Sequence, residues 1–294
     1  MPTVVWAMIV AGLSAWIVGL LLVRPRLYKA SGADRVLLLG PVFEAVALAM
    51  FAAEHFFAAR DLMGIVPHWL PAPLFWTYFV GIALLAAAIS FVAWRQVHLS
   101  APLLALLFLL IVITIDLPNL PQHIPLHLRD RLFWTLTVRE TAFACGALVL
   151  AGSVLPRESR AGIALVRTGR AIIAAICIFY AVQHFLFPQF VPGVPLEKLT
   201  PSWVPWPHVL ACLIGASLLF CGVGLLIPRA VRIAAASTGA VLVLLTLFFY
   251  VPIFVTEMHT PLALEGMNYV GDTLLFAATV LLAGLGTENP ASST

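Results

Sequence analysis

The chain has 294 residues, 62% of them hydrophobic and 10% charged, with a mean hydropathy of +1.05, whereas an ordinary soluble domain carries roughly 25% charged residues. A soluble fold of this size cannot hide so much apolar surface, which leaves a lipid bilayer as the expected surroundings. The formal charge of +3 is small and the basic residues fall in short turns rather than in one patch, which gives no electrostatic support to a nucleic-acid partner.

A hydrocarbon core about 30 Å thick requires roughly 20 apolar residues per helix. Nine stretches meet that demand in chain order: 3–23, 35–58, 74–94, 100–118, 132–154, 168–188, 208–228, 232–255 and 266–286. The expected fold class is therefore an all-α polytopic membrane protein. The first stretch has no basic residue before it and a longer apolar run than a signal peptide, so it is read as a retained helix packed outside the rest. The implied organisation is an N-terminal helix (1–30), two four-helix units (31–156 and 157–288) and a disordered tail (289–294).

Orientation follows from Lys and Arg, which collect in cytoplasmic turns. Arg24, Arg26, Lys29, Arg35, Arg95, Arg157, Arg160, Arg167, Arg170, Arg229 and Arg232 fall on one side. Arg60, Arg129, Arg131 and Lys198 fall on the other, and Arg139 lies inside a span. This places the N-terminus outside and the C-terminus in the cytoplasm.

The two four-helix units repeat one another. FAAEHFF (51–57) answers YAVQHFL (180–186), pairing His55 with His184. VPHWLPAP (66–73) answers TPSWVPWP (200–207), pairing Trp69 with Trp203, Pro71 with Pro205 and Pro73 with Pro207. Gly81 then matches Gly215, Pro118 matches Pro252, and RETAFACGALVLAG (139–152) matches GDTLLFAATVLLAG (271–284), so Glu140 pairs with Asp272 and Arg139 with Gly271. The loop between the first and second helix is five residues longer in the second copy. Four helices per copy give both copies the same direction, related by a twofold pseudo-axis along the membrane normal. The loop prolines suit the first turn of the following helix, where no N–H is needed, and the tryptophans suit the headgroup level.

At these points the chain resembles the DoxX-like family of small four-helix bacterial membrane proteins. The resembling residues are Glu54–His55, VPHWLP (66–71) and GIALLAA (81–87), echoed by His184, PSWVP (201–205) and GASLL (215–219). The resemblance implies two fused family units in the bacterial cytoplasmic (inner) membrane, and links to quinone or thiol redox systems with a membrane or extracytoplasmic redox partner. The four cysteines, Cys145, Cys177, Cys212 and Cys221, contain no CxxC pair, which argues for small buried apolar groups over dithiol chemistry.

Ionisable groups within a membrane cost about 2.5 to 3.5 kcal/mol at mid-span on insertion scales and mark interior or water-facing sites. Glu54, His55, Asp116, Arg139, Glu140, His184, Glu257, His259 and Asp272 all fall in the outer third of their spans or just beyond. They are the candidate ligand-binding residues of an outward-facing site. Their rival reading is mutual neutralisation, with Arg139 pairing the acids and the histidines bonding backbone carbonyls. Glu44 lies near mid-span and is expected as a neutral carboxyl bonded to a neighbouring helix rather than as a proton relay.

A quinone or similar amphiphile would suit an apolar pocket with one His and one carboxyl. No HxxxH or ExxH spacing fixes two metal ligands on one helix, so no metal site is expected. A bis-histidine haem would require His55 and His184 to face each other, and haem is not expected either. The leading functional reading is a membrane protein binding a small amphipathic or redox-active ligand. Its alternatives are a transporter with Glu44 as coupling group and a noncatalytic membrane subunit, and no catalytic residue is assigned.

Overall fold

The computed structural model describes residues 1–118, 131–194 and 198–286; the tail at 289–294 and the basic residue Arg129 lie outside them. Among the described residues there is no strand, only an isolated bridge between Phe190 and Leu199. Among the described residues, eight helices are long and apolar enough to cross a membrane. They are α1 (Thr3–Lys29), α2 (Ala33–Phe57), α3 (Pro73–Ala93), α4 (Val97–Asp116), α6 (Arg160–Leu186), α7 (Pro207–Leu226), α8 (Val231–Glu257) and α9 (Ala263–Ala283). Between α4 and α6 runs α5 (Arg131–Ser153), 23 residues long, less apolar because it carries Arg139 and Glu140. The chain is a multi-pass α-helical membrane protein.

Some expected limits shift. α1 continues six residues past 23 because Pro25 is tolerated inside the helix. α6 starts at Arg160 rather than 168, since the Ser159 hydroxyl accepts the Gly162 N–H and caps the helix there. Pro73 and Pro207 are the first residues of α3 and α7, whereas Pro71 and Pro205 lie in the loops before them.

Packing partners give the arrangement. Each of α2 to α9 touches the next in sequence and α9 returns to α2, forming a closed ring that α5 and α9 pinch by also touching each other. α1 lies outside against α2 and α3. Burial follows this plan: 78% of the α9 span and 72% of the α2 span are buried, against 22% for α1 and 28% for α4. The peripheral helices turn large apolar side chains such as Leu21, Ile82, Leu103, Leu213 and Phe248 outward, where water would penalise them and lipid does not.

The central contacts rest on small residues that let backbones approach. A Cβ at Gly146 of α5 would lie 3.2 Å from the Thr279 Cα of α9, and one at Gly169 of α6 would lie 2.8 Å from the Cys145 carbonyl oxygen of α5. At the end of the ring carrying the arginine-rich turns, the arginine face, Arg232 pairs with Asp34. On the same face Arg170 donates from Nε to the Ala283 carbonyl and from Nη2 to the Leu285 carbonyl, 3.0 Å each, and so supplies donors to the otherwise unsatisfied end of α9.

Local geometry recurs between α2–α5 and α6–α9. A Cβ on Gly81 would meet His55 Cβ at 2.9 Å and the Phe56 ring at 3.2 Å; one on Gly215 would meet His184 Cβ at 3.0 Å and the Phe185 ring at 3.2 Å. Ala72 and Trp206, each just before the helix-starting proline, both hold positive φ, 55° and 47°. α4 and α8 each contain a π turn, Val112–Asp116 and Thr246–Tyr250. A proline follows two residues later in both, lacking an N–H and crowding the carbonyl four residues back, and the widened turn accommodates it.

Candidate functional site

The polar residues gather toward the end opposite the arginine face, which carries Trp69, Trp203 and Trp206, all exposed; we call it the tryptophan face. The two central helices meet there through Arg139 of α5. Its Nη1 donates to Asp272 Oδ2 of α9 at 2.5 Å and its Nη2 to Glu140 Oε1 at 3.2 Å. The guanidinium also lies 6.0 Å from the centre of the Phe143 ring, within cation–π range. One turn before Asp272, on the same face of α9, Asn268 Nδ2 donates to Glu54 Oε1 of α2 at 2.9 Å. Asp116, at the end of the α4 π turn, lies in the field of Glu140 and Arg139. Five candidates from four helices therefore converge: Glu54, Asp116, Arg139, Glu140 and Asp272.

This cluster is unbalanced. It sets the carboxyls of Glu54, Asp116, Glu140 and Asp272 against one guanidinium, and three of its buried polar atoms, Asp116 Oδ2, Arg139 Nε and Asn268 Oδ1, have no hydrogen-bond partner among the described residues. A buried unmatched polar group costs roughly 1–3 kcal/mol, and Glu44, Thr200, Glu257, Thr273 and Thr279 each carry one outside the cluster. Glu54 and Asp272 are 5% and 8% exposed, so solvent does not relieve them.

Arg139 occurs once for a packing reason. Its counterpart Gly271 has no room: a Cβ there would lie 2.9 Å from the Phe51 ring. In the other half Tyr180 stands where Phe51 does, sends its hydroxyl to the Thr135 carbonyl at 2.8 Å and packs edge-on against Phe276.

The two histidines share one tautomer but not one environment. His55 Nδ1 lies 2.8 Å from the Phe51 carbonyl and His184 Nδ1 lies 2.6 Å from the Tyr180 carbonyl. A carbonyl only accepts, so Nδ1 carries the proton in both. His184 is buried, and its Nε2 accepts the Gly193 N–H at 2.7 Å. That lone pair is occupied, so a haem iron could not take it without displacing the loop. His55 is half-buried.

Three of the polar residues stand apart from the cluster. Glu257 does not join the cluster but pairs with Lys198 at 2.7 Å, and the same ammonium lies 3.2 Å from Glu265. Desolvation pulls the Lys198 pKa down, but the hydrogen bonds and charges of Glu257 and Glu265 outweigh it and leave the pKa above the ordinary lysine value. His259 is exposed in the turn between α8 and α9. Glu44 is buried at mid-span, yet its Oε2 has no partner on any neighbouring helix among the described residues.

Sequence reading passed over Asn268, Tyr250 and the Pro192–Gly193 peptide, whose roles depend on contacts distant in sequence. It also missed that the Cys177 thiol of α6 reaches Cys221 of α7 across a helix contact, since no CxxC spacing announces the pair. Among the described residues no group of three His, Cys, Asp or Glu side chains could hold a metal ion. No protein-family model, curated protein or solved structure matches the chain.

Proposed function

We propose that this protein is a DoxX-like membrane protein of the bacterial cytoplasmic membrane, with the tryptophan face outward and the C-terminus in the cytoplasm. In this reading α2–α5 and α6–α9 are tandem copies of one four-helix unit, with α1 added at the edge. The recurrent His–Gly contacts, left-handed helix starts and π turns support the duplication, and the arginine distribution supports the orientation. The protein binds a small amphipathic or redox-active, quinone-like ligand through the polar cluster beneath the outward face.

One observation carries this reading: three buried polar atoms of a single cluster, on Asp116, Arg139 and Asn268, lack partners among the described residues. A bound head group supplies the missing donors and acceptors, while its apolar body occupies the surrounding helix surfaces.

The test is to purify the protein from membranes in mild detergent, extract it with organic solvent and analyse the extract by mass spectrometry and ultraviolet absorbance. We expect an amphiphile near one equivalent per chain, lost in Arg139→Gln. Extracts holding only bulk phospholipid in both proteins would overturn the reading.

A further inference from the structure

The second half of the protein contains a filled version of a space that the first half leaves unfilled by its own loop. In the second half, residues 191–194 of the loop between α6 and α7 are buried. The Gly193 N–H donates to His184 Nε2 at 2.7 Å, and the Tyr250 hydroxyl donates to the Pro192 carbonyl at 2.5 Å. Gly193 holds φ +108°, and a Cβ on it would meet Tyr250 Oη at 3.5 Å. One peptide unit thus sits between the histidine of the first helix and the last residue of the π turn in the third, meeting both with hydrogen bonds as a ligand would.

The first half has the same frame with different contents. His55 stands for His184 and Asp116 for Tyr250, each closing its π turn. The connecting loop is five residues shorter: Ala58 and Ala59 at its start are buried, but Arg60, Asp61, Met63, Gly64 and Ile65 are all exposed, and among the described residues no hydrogen bond runs from this loop to the side chain of His55 or Asp116. His55 and Asp116 stay partly exposed where His184 and Tyr250 are 1% and 0% exposed. Asp116 Oδ2 has no partner among the described residues.

The chemistry of the ligand follows from what the frame lacks. With Nδ1–H directed to the Phe51 carbonyl, the neutral His55 ring presents an Nε2 lone pair, as His184 does to Gly193. Replacement of the Tyr250 hydroxyl by a carboxyl at Asp116 adds acceptor oxygens, and Glu54, Glu140 and Asp272 stand nearby against Arg139 alone. A donor is wanted at both ends, and a second negative charge is repelled.

We propose that the space between His55 and Asp116 is a ligand site for a head group that donates N–H or O–H hydrogen bonds and carries no negative charge, and that the Pro192–Gly193 peptide permanently occupies its counterpart. This rests on the reading of two units with an outward polar site; it adds that only the first unit is open and that, of quinone-like ligands, the site takes the reduced form, whose hydroxyls donate, and not the quinone, whose carbonyls only accept.

Single cysteines at the two histidine positions test it, in reconstituted protein carrying Cys212→Ala, since Cys212 is the exposed native thiol. His55→Cys should react with externally added 2-aminoethyl methanethiosulfonate, a cation, at least about tenfold faster than with the anionic 2-sulfonatoethyl reagent, the scale of charge focusing in a cleft. His184→Cys should react with neither over the same period. Benzylammonium and benzyl alcohol should slow labelling at 55, and benzoate should not.

Because His184→Cys removes a buried hydrogen bond and could open the loop by itself, a second measurement uses the unsubstituted protein with 15N-labelled histidine, assigned through His55→Gln. Benzylammonium should shift the His55 ring nitrogens and leave those of His184 in place. Equal shifts at both histidines, faster labelling by the anion, or no labelling at 55 would overturn the proposal. A co-purifying amphiphile with a sealed position 55 would refute this site while sparing the broader functional reading. Donor-selective protection at 55 with no co-purifying molecule would do the reverse.

Discussion

Arg139 is the residue on which the centre of the molecule turns. It joins α5 to α9 through Asp272 and also holds Glu140, and its side chain is 14% exposed. Removing one partner of a buried pair leaves the other charge uncompensated and costs about 3–5 kcal/mol, whereas replacing both by apolar groups is often close to neutral. Arg139→Leu should therefore lower the thermal midpoint in detergent sharply, and Arg139→Leu with Asp272→Leu should recover part of the loss. A double variant less stable than the single one would show that Asp272 is held mainly by groups other than Arg139. The presence of ionisable residues at this depth was legible in the sequence, because charge inside an apolar run is conspicuous. Their pairing was not: Arg139 and Asp272 are 133 positions apart, and only the contact of α5 with α9 brings them together.

At the scale of helices, small residues set how closely the two halves approach. Gly169 of α6 faces the Cys145 carbonyl oxygen and a Val149 methyl group of α5, each 2.8 Å from where a Cβ would stand. The backbone oxygen cannot rotate away, so Gly169→Val should overpack the contact and cost about 1–3 kcal/mol. Gly64→Ala, with nothing within 4 Å of the new methyl group, serves as the control and should melt close to the parent protein. Helix extents were readable from hydropathy to within a turn at most ends. The start of α6 was misplaced because Arg160, Arg167 and Arg170 lower the apolar signal, although Ser159 and a further two turns of helix precede the membrane-length apolar stretch.

For the whole molecule, the decisive feature is the unequal treatment of matching local motifs in α2–α5 and α6–α9. The longer loop after α6 is tied to α8 and α9 by Lys198 between Glu257 and Glu265, with the ammonium 5.2 Å from the Tyr269 ring centre. Because the folded pKa of Lys198 is raised, its stabilising contribution is complete below the ordinary lysine value of about 10.4 and disappears as pH climbs through the higher folded value. A spin label at Gln189, an exposed loop position, should therefore show constant mobility from about pH 6 to 9 and loosen only in stronger alkali. Lys198→Met should be mobile throughout, and a wild-type transition near neutrality would mean that another group holds the loop.

The sequence by itself determined the membrane-spanning helical class and the matched motifs of the two halves, along with the level at which polar groups collect. Hydropathy and residue spacing are local properties, and they survive without knowledge of neighbours. Only the tertiary structure decided that α5 and α9 share the centre, that Phe51 leaves no room for a second Arg139, and that His184 is met by its own loop while His55 is not. Those outcomes depend on which side chains fill the same volume, and residues more than a hundred positions apart compete for it.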